Sequence, residues 1–133
     1  MKNEYIAGDL VKFATNTYTI VNFEENFLHN KICYAMISTN STKTAFVADR
    51  DILPIPLTEE ILEKNGWKKK MYCDWCHYLP IEGNILYLSK GIGIDGAFSV
   101  DVGQDMSYIA SISFVHQLQH LLFGLGLNSE MEV

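Results

Sequence analysis

The sequence predicts an α+β protein made of two antiparallel β segments and two helices. Short runs rich in Val, Ile, Thr, Tyr and Phe recur between turn residues along most of the chain. Two stretches carry helix signals instead: a capped start after Pro56, and a leucine-rich face of helical period near the C-terminus. Leu, Ile, Val and Phe together make 40 of the 133 residues, enough to bury a core and to exclude a disordered chain.

The first four strands are expected over 9–13, 18–23, 32–38 and 44–47. The connection over 23–31, with Glu24, Glu25, Asn26, His29 and Asn30, is the longest and most polar, and Asn40-Ser41-Thr42 makes a tighter turn. The Gly8-Asp9-Leu10-Val11 opening, the Tyr18-Thr19-Ile20-Val21 second strand and the closing 49–56 stretch resemble a Src-homology-3-like small β-barrel over residues 1–56. Pro54 and Pro56 then stiffen a short extended link.

A helix follows this link. Thr58 is a good N-cap, Glu59 and Glu60 suit the positive end of the helix dipole, Leu57 can staple to Leu62, and Asn65-Gly66 stops the helix. A second set of strands is expected over 67–74, 77–82, 84–90, 97–102 and 108–113, forming a meander with turns at Gly83 and at the glycines 91, 93, 96 and 103. The last element is a helix over 113–125 that packs on this second sheet. Phe114, Leu118, Leu121, Leu122 and Leu125 form its apolar stripe, with His116 and His120 about 160° away from Leu118 on either side. The second segment is therefore 57–133, and the two segments are compatible with one shared core.

Charge limits the partners. The net charge is −6, Arg50 is the sole arginine, and residues 71–133 hold seven acids against one base, Lys90. A nucleic-acid groove needs Lys and Arg to neutralise phosphates, so no nucleic-acid partner is expected. The apolar runs are too short for a membrane span, and Glu4 and Asp9 interrupt the stretch where an export signal would need an apolar core. The expected location is the cytoplasm. There Cys33, Cys73 and Cys76 stand as thiols or ligands rather than as a disulfide framework.

Several patterns carry candidate chemistry. Cys73-Asp74-Trp75-Cys76-His77 spells the C-x-x-C-H run of covalent haem attachment, but that chemistry follows export, and the run reads more simply as a turn with two incidental thiols. Cys73 and Cys76 could instead supply half of a zinc site, completed by His116 and His120 at helical i, i+4 spacing, with His77 or Cys33 as substitutes. Against that stand the 39 residues between Cys76 and His116. The glycines from Gly91 to Gly96 spell G-x-G-x-x-G, yet a strand follows where a dinucleotide site needs a helix N-terminus. Asp95, Asp101 and Asp105 lack calcium-loop spacing, no nucleophile elbow is present, and Lys68-Lys69-Lys70 suits an edge strand that discourages pairing. No residue is nominated as catalytic. His116, Gln117, Gln119, His120 and Phe123 form a polar ridge with one aromatic, suited to binding a partner or a small ligand.

Two stretches, Pro54-Ile55-Pro56-Leu57-Thr58-Glu59-Glu60-Ile61-Leu62-Glu63-Lys64-Asn65-Gly66-Trp67 and Val115-His116-Gln117-Leu118-Gln119-His120-Leu121-Leu122-Phe123, resemble the two motifs of a group of small uncharacterised phage, prophage and mobile-element proteins of gut bacteria. That group shares the order of a β-rich segment, a PIPLTEE-x-L helix, variable strands and a closing HQLQ-x-L helix. Counterparts of His116, Gln117 and Gln119 recur in it, whereas His120 stands where the group has asparagine and the CxxC pair has no counterpart. The resemblance implies no activity. The resulting expectation is a non-enzymatic accessory protein that binds a host protein or a small signalling ligand, in a counter-defence role. A homo-oligomer is compatible with it, and no cofactor is needed. The alternative is a zinc-binding protein, structural or hydrolytic, using Cys73 and Cys76.

Overall fold

The computed structural model describes residues 5–26, 31–38, 44–71, 73–90 and 97–133. The expected turn at Asn40-Ser41-Thr42, the glycine motif from Gly91 to Gly96 with Asp95, and His29 in the first long connection lie outside them. The chain divides into two compact units, one of Met1–Ile55 with Leu118–Glu130 and one of Pro56–Gln117 with Met131–Val133.

The first unit carries β1 (Leu10–Phe13), β2 (Asn16–Asn26), β3 (Lys31–Ser38), β4 (Thr44–Ala48), a 3-10 turn at Asp49–Asp51 and β5 (Leu53–Pro54). The strands pair antiparallel in the order β4-β3-β2-β1-β5, and no closed barrel forms among the described residues. Alternation explains which side chains go inside. In β4, Val47 is buried and Ala45 packs against the core, while Thr44 and Phe46 face out. Val11, Ile20, Met36 and Val47 meet Tyr5, Tyr34 and Ile52 in one cluster, with Tyr5 edge-on to Tyr34 at a centroid distance of 5.6 Å. β2 slips register between Ile20 and Asn22, and the extra residue Val21 is left exposed.

The second unit holds α1 (Glu59–Lys64) and a five-stranded sheet in the order β10-β9-β8-β7-β6. Its strands are β6 (Lys68–Lys70), β7 (Cys73–Ile81), β8 (Asn84–Lys90), β9 (Phe98–Val102) and β10 (Ser107–Ile112), each paired antiparallel with the next. The expected meander is present. One correction concerns the cysteine motif: no turn separates two strands there, and Cys73 to His77 run inside β7. The strand stays continuous because the added residues are absorbed in a register slip, between the Lys69–His77 and Lys70–Cys73 pairs.

Both helices obey the local signals read in the sequence. Thr58 Oγ1 accepts the Ile61 amide at 3.2 Å, and Glu59 and Glu60 occupy the first turn of α1. The helix ends in a Schellman arrangement: Gly66 sits at φ +89°, its amide donates to the Glu63 carbonyl, and Trp67 N–H reaches Leu62 O. α2 (Val115–Gly124) ends likewise, with Gly126 at φ +75° and Leu127 N–H donating to Leu122 O. Among the described residues no helix is long and apolar enough to cross a membrane.

The orientation and packing of α2 differ from expectation. Val115, His116, Leu118, Gln119 and Leu122 are buried, so the inward sector is centred about 80° round from Leu118. His116 therefore lies inside at 5% exposure, rather than pointing away from the core, and Leu125, past the end of the helix, is exposed. The helix was expected to pack on the second sheet, yet residues from Leu118 onward group with the first. Polar contacts from Gln119 and His120 to the Gly8–Leu10 segment draw it there.

Core truncations should separate cleanly from surface ones. Ile20→Ala in the first unit and Leu88→Ala in the second remove fully buried side chains. Each is expected to cost about 2–5 kcal/mol in urea denaturation, against less than about 0.5 kcal/mol for Val21→Ser at the exposed bulge position.

Candidate functional site

The site forms where the N-terminal segment before β1 meets α2, within the first unit. Gln119 is 4% exposed, and its amide is fully used: Oε1 accepts Leu10 N–H at 2.9 Å, while Nε2 donates to Gly8 O at 3.0 Å and Ser129 O at 3.1 Å. A buried amide is tolerated inside a protein only when paired in this way.

One residue further on, His120 Nε2 lies 2.9 Å from Asp9 Oδ1 and 2.7 Å from Oδ2. Asp9 is 2% exposed and also accepts the Ile6 amide through Oδ2 at 2.9 Å. The His120 side chain is 35% exposed, so the pair runs from the interior to the surface. Burial pushes the Asp9 carboxyl above its ordinary value, and the Ile6 amide and His120 act against that shift.

The pair helps to line a small pocket of about 90 Å³, with Ile6, Ala7, Gly8, Gln119, Phe123 and Ser129. Its walls include two exposed apolar side chains, Ile6 and Phe123, the latter 70% exposed. Its other lining side chains are mostly polar. The volume is well below the ~300–1,000 Å³ of pockets that take small organic ligands, and suits a single side chain.

Of the five ridge residues expected to bind, Gln119, His120 and Phe123 line this pocket. Gln117 serves its own helix, since its Oε1 accepts the amides of Ser113 at 2.7 Å and Phe114 at 3.1 Å. His116 belongs to the second unit and stacks on Phe114 with ring centroids 5.9 Å apart. In the sequence Asp9 reads as the start of a strand and as a charge against an export signal, not as a site residue. Its partner lies 111 residues away, and the local hint was a carboxylate placed directly before the apolar run of β1.

Cys73 is half-buried; Cys76 is buried, and its Sγ lies 3.4 Å from Ser89 Oγ, which donates to it. His77, next in β7, is fully buried, with Nε2 3.6 Å from Glu63 Oε1 and no hydrogen-bond partner on either ring nitrogen among the described residues. Among the described residues, no three His, Cys, Asp or Glu side chains are grouped to hold a metal ion. The side chain of Cys33 lies outside the described residues. Comparison with known protein families, with curated proteins and with solved structures finds no match.

Two outcomes follow from this geometry. Gln119→Ala strands the Leu10 amide and two carbonyls, and should lower stability by about 3 kcal/mol in chemical denaturation. Asp9 binds its proton more tightly folded than unfolded, so its contribution is full below about pH 4 and is lost as pH rises through the raised folded value. The melting temperature of the wild type relative to Asp9→Asn should therefore fall as pH is raised from about 3.5 to about 7, and a flat or rising difference would refute this assignment.

Proposed function

We propose that the chain is a non-enzymatic accessory protein of a phage or mobile element, acting in the cytoplasm by binding a host protein in a counter-defence role. One observation carries the binding reading. The exposed Phe123 and Ile6 line a pocket of about 90 Å³ together with the His120–Asp9 pair. An exposed aromatic beside a one-side-chain pocket is the arrangement of an anchor site at protein interfaces, where a few well-buried contacts supply most of the affinity. The pocket's size favours a protein partner over a small signalling ligand. The phage or mobile-element origin rests on the resemblance of the 54–67 and 115–123 stretches. A Src-homology-3-like first unit is part of the same reading, supported by the strand order β4-β3-β2-β1-β5 and the 3-10 turn between β4 and β5.

A second reading is a zinc-binding protein, structural or hydrolytic, through Cys73 and Cys76. The observation favouring it is His77, an imidazole fully buried directly after Cys76 with neither ring nitrogen hydrogen-bonded among the described residues. An imidazole so placed is the commonest protein ligand to zinc.

Two measurements on one preparation separate the two. The untagged chain, used as bait in host lysate, should retain a host protein at near-stoichiometric yield, and Phe123→Ala should weaken that capture about tenfold or more. Native mass spectrometry of the same preparation should give the bare chain mass, alone or as a clean oligomer, with no added metal. A mass excess of one zinc per chain that is lost in Cys76→Ser would replace the first reading with the second. Capture unaffected by Phe123→Ala would remove the pocket from it.

A further inference from the structure

The two sheets have four edges, and three of them carry a feature that discourages pairing. β5 is two residues long and ends in Pro54. β6 is Lys68-Lys69-Lys70, all exposed. β10 slips register between Tyr108 and Ala110, which throws Ile109 out of the ladder. Short strands, prolines, lysines and bulges are the ways in which sheet edges are kept from adding further strands.

β4 has none of these. Thr44-Ala45-Phe46-Val47-Ala48 contains no charge, no proline and no glycine, and its register with β3 is unbroken from Cys33↔Ala48 to Ile37↔Thr44. Its only neighbour in the sheet is β3, and among the described residues its backbone bonds to no other element. Water satisfies an exposed row of outward amides and carbonyls one group at a time, whereas another extended strand satisfies the whole row in register. The outward side chains add to this, because Phe46 is 66% exposed on the face opposite Val47.

We infer that β4 is a self-association edge, at which a second copy of this chain pairs antiparallel with β4 about a two-fold axis through Phe46. About that residue the uncharged strand can pair with its own copy without setting like charges opposite each other. Antiparallel pairing centred there sets Phe46 against Phe46 of the second copy, and Thr44 against Ala48 at both ends. An aromatic pair directly across two strands is among the stronger cross-strand contacts. Each chain carries −6, so a neutral strip is where two copies can approach without like charges meeting. The β6 edge, with three lysines, would repel its own copy.

Sedimentation of the full chain over about 1–100 µM tests this. The wild type should rise from 15.1 kDa toward twice that mass. Phe46→Lys and Phe46→Glu, each setting like charges opposite each other, should weaken association about tenfold or more and remain near the chain mass, and an equimolar mixture of the two should recover the heavier species. Ile109→Lys on the bulged β10 should leave the wild-type curve unchanged. A wild type that stays at the chain mass, a Phe46→Lys variant that associates as the wild type does, a mixture that fails to recover, or an Ile109→Lys variant that dissociates would each overturn the inference. Hydrogen exchange of the wild type, free of any question of folding, should show the 44–48 amides slowing as concentration rises, and equal exchange at both ends of the range would count against it. A wild type that is monomeric alone but loses host-protein capture in Phe46→Lys would assign the edge to a foreign strand instead.

Discussion

The first unit depends on one buried amide. Gln119 reaches Leu10, Gly8 and Ser129 with a single side chain, joining the strand that opens the sheet to the helix and the tail that end the chain. The residues joined to Gln119 at the N-terminal end lie 109 and 111 positions away, so the contact closes nearly the whole chain into a loop. Closing so long a loop costs entropy, although the cost grows only logarithmically with length. Once the amide is buried, its hydrogen bonds are obligatory, because each missing partner would leave a polar group desolvated. It follows that residues 1–55 are not a free-standing piece: the segment from Leu118 onward completes the unit, and a fragment cut at residue 56 leaves Leu10 N–H and Gly8 O without the partner they have in the whole chain.

Beside the amide, the His120–Asp9 pair follows a different economy. A carboxylate that is 2% exposed is costly to bury, and pairing with one imidazole and one backbone amide recovers only part of that cost. An apolar pair of the same size would hold the helix with less penalty. Keeping a desolvated carboxylate in the lining of an open pocket costs stability, and under the binding proposed above a preorganised polar lining beside Phe123 would offset that cost. The pair lines the pocket at a cost to the fold that carries it.

Much of the fold was legible because the strands obey local rules. Alternation and turn residues placed β1 to β4 and the meander within a few positions of where they lie, and the caps of α1 were read residue by residue from Thr58, Glu59 and Gly66. What escaped was everything set by distant partners. Leucines mark a core and centre the expected inward sector of α2 on Leu118, yet the true sector includes His116 and Gln119, and the hydrogen-bond partners of Gln119 lie at the other end of the chain. Asp9 looked like a strand start because nothing within ten residues of it declares a histidine partner. Likewise, Gln117 and Gln119 are equivalent as letters. One caps its own helix, and the other braces the first unit.

The bare β4 edge and the pocket sit on the same unit without competing for the same surface. Asp9 immediately precedes β1, which lies three strands from β4 in the sheet order. At about 4.8 Å per strand the two are ~14 Å apart across the sheet, so a second copy paired at β4 would leave the segment beside Phe123 open. Pairing two edges would join two five-stranded sheets into one of ten strands, carrying a pocket on each half. Two weak single-side-chain anchors fixed to one rigid sheet bind a repeated or oligomeric target far more tightly than either does alone, because the second contact forms at high effective concentration. A pocket of about 90 Å³ supplies little affinity by itself, and an unprotected edge is a hazard by itself. Together they account for each other.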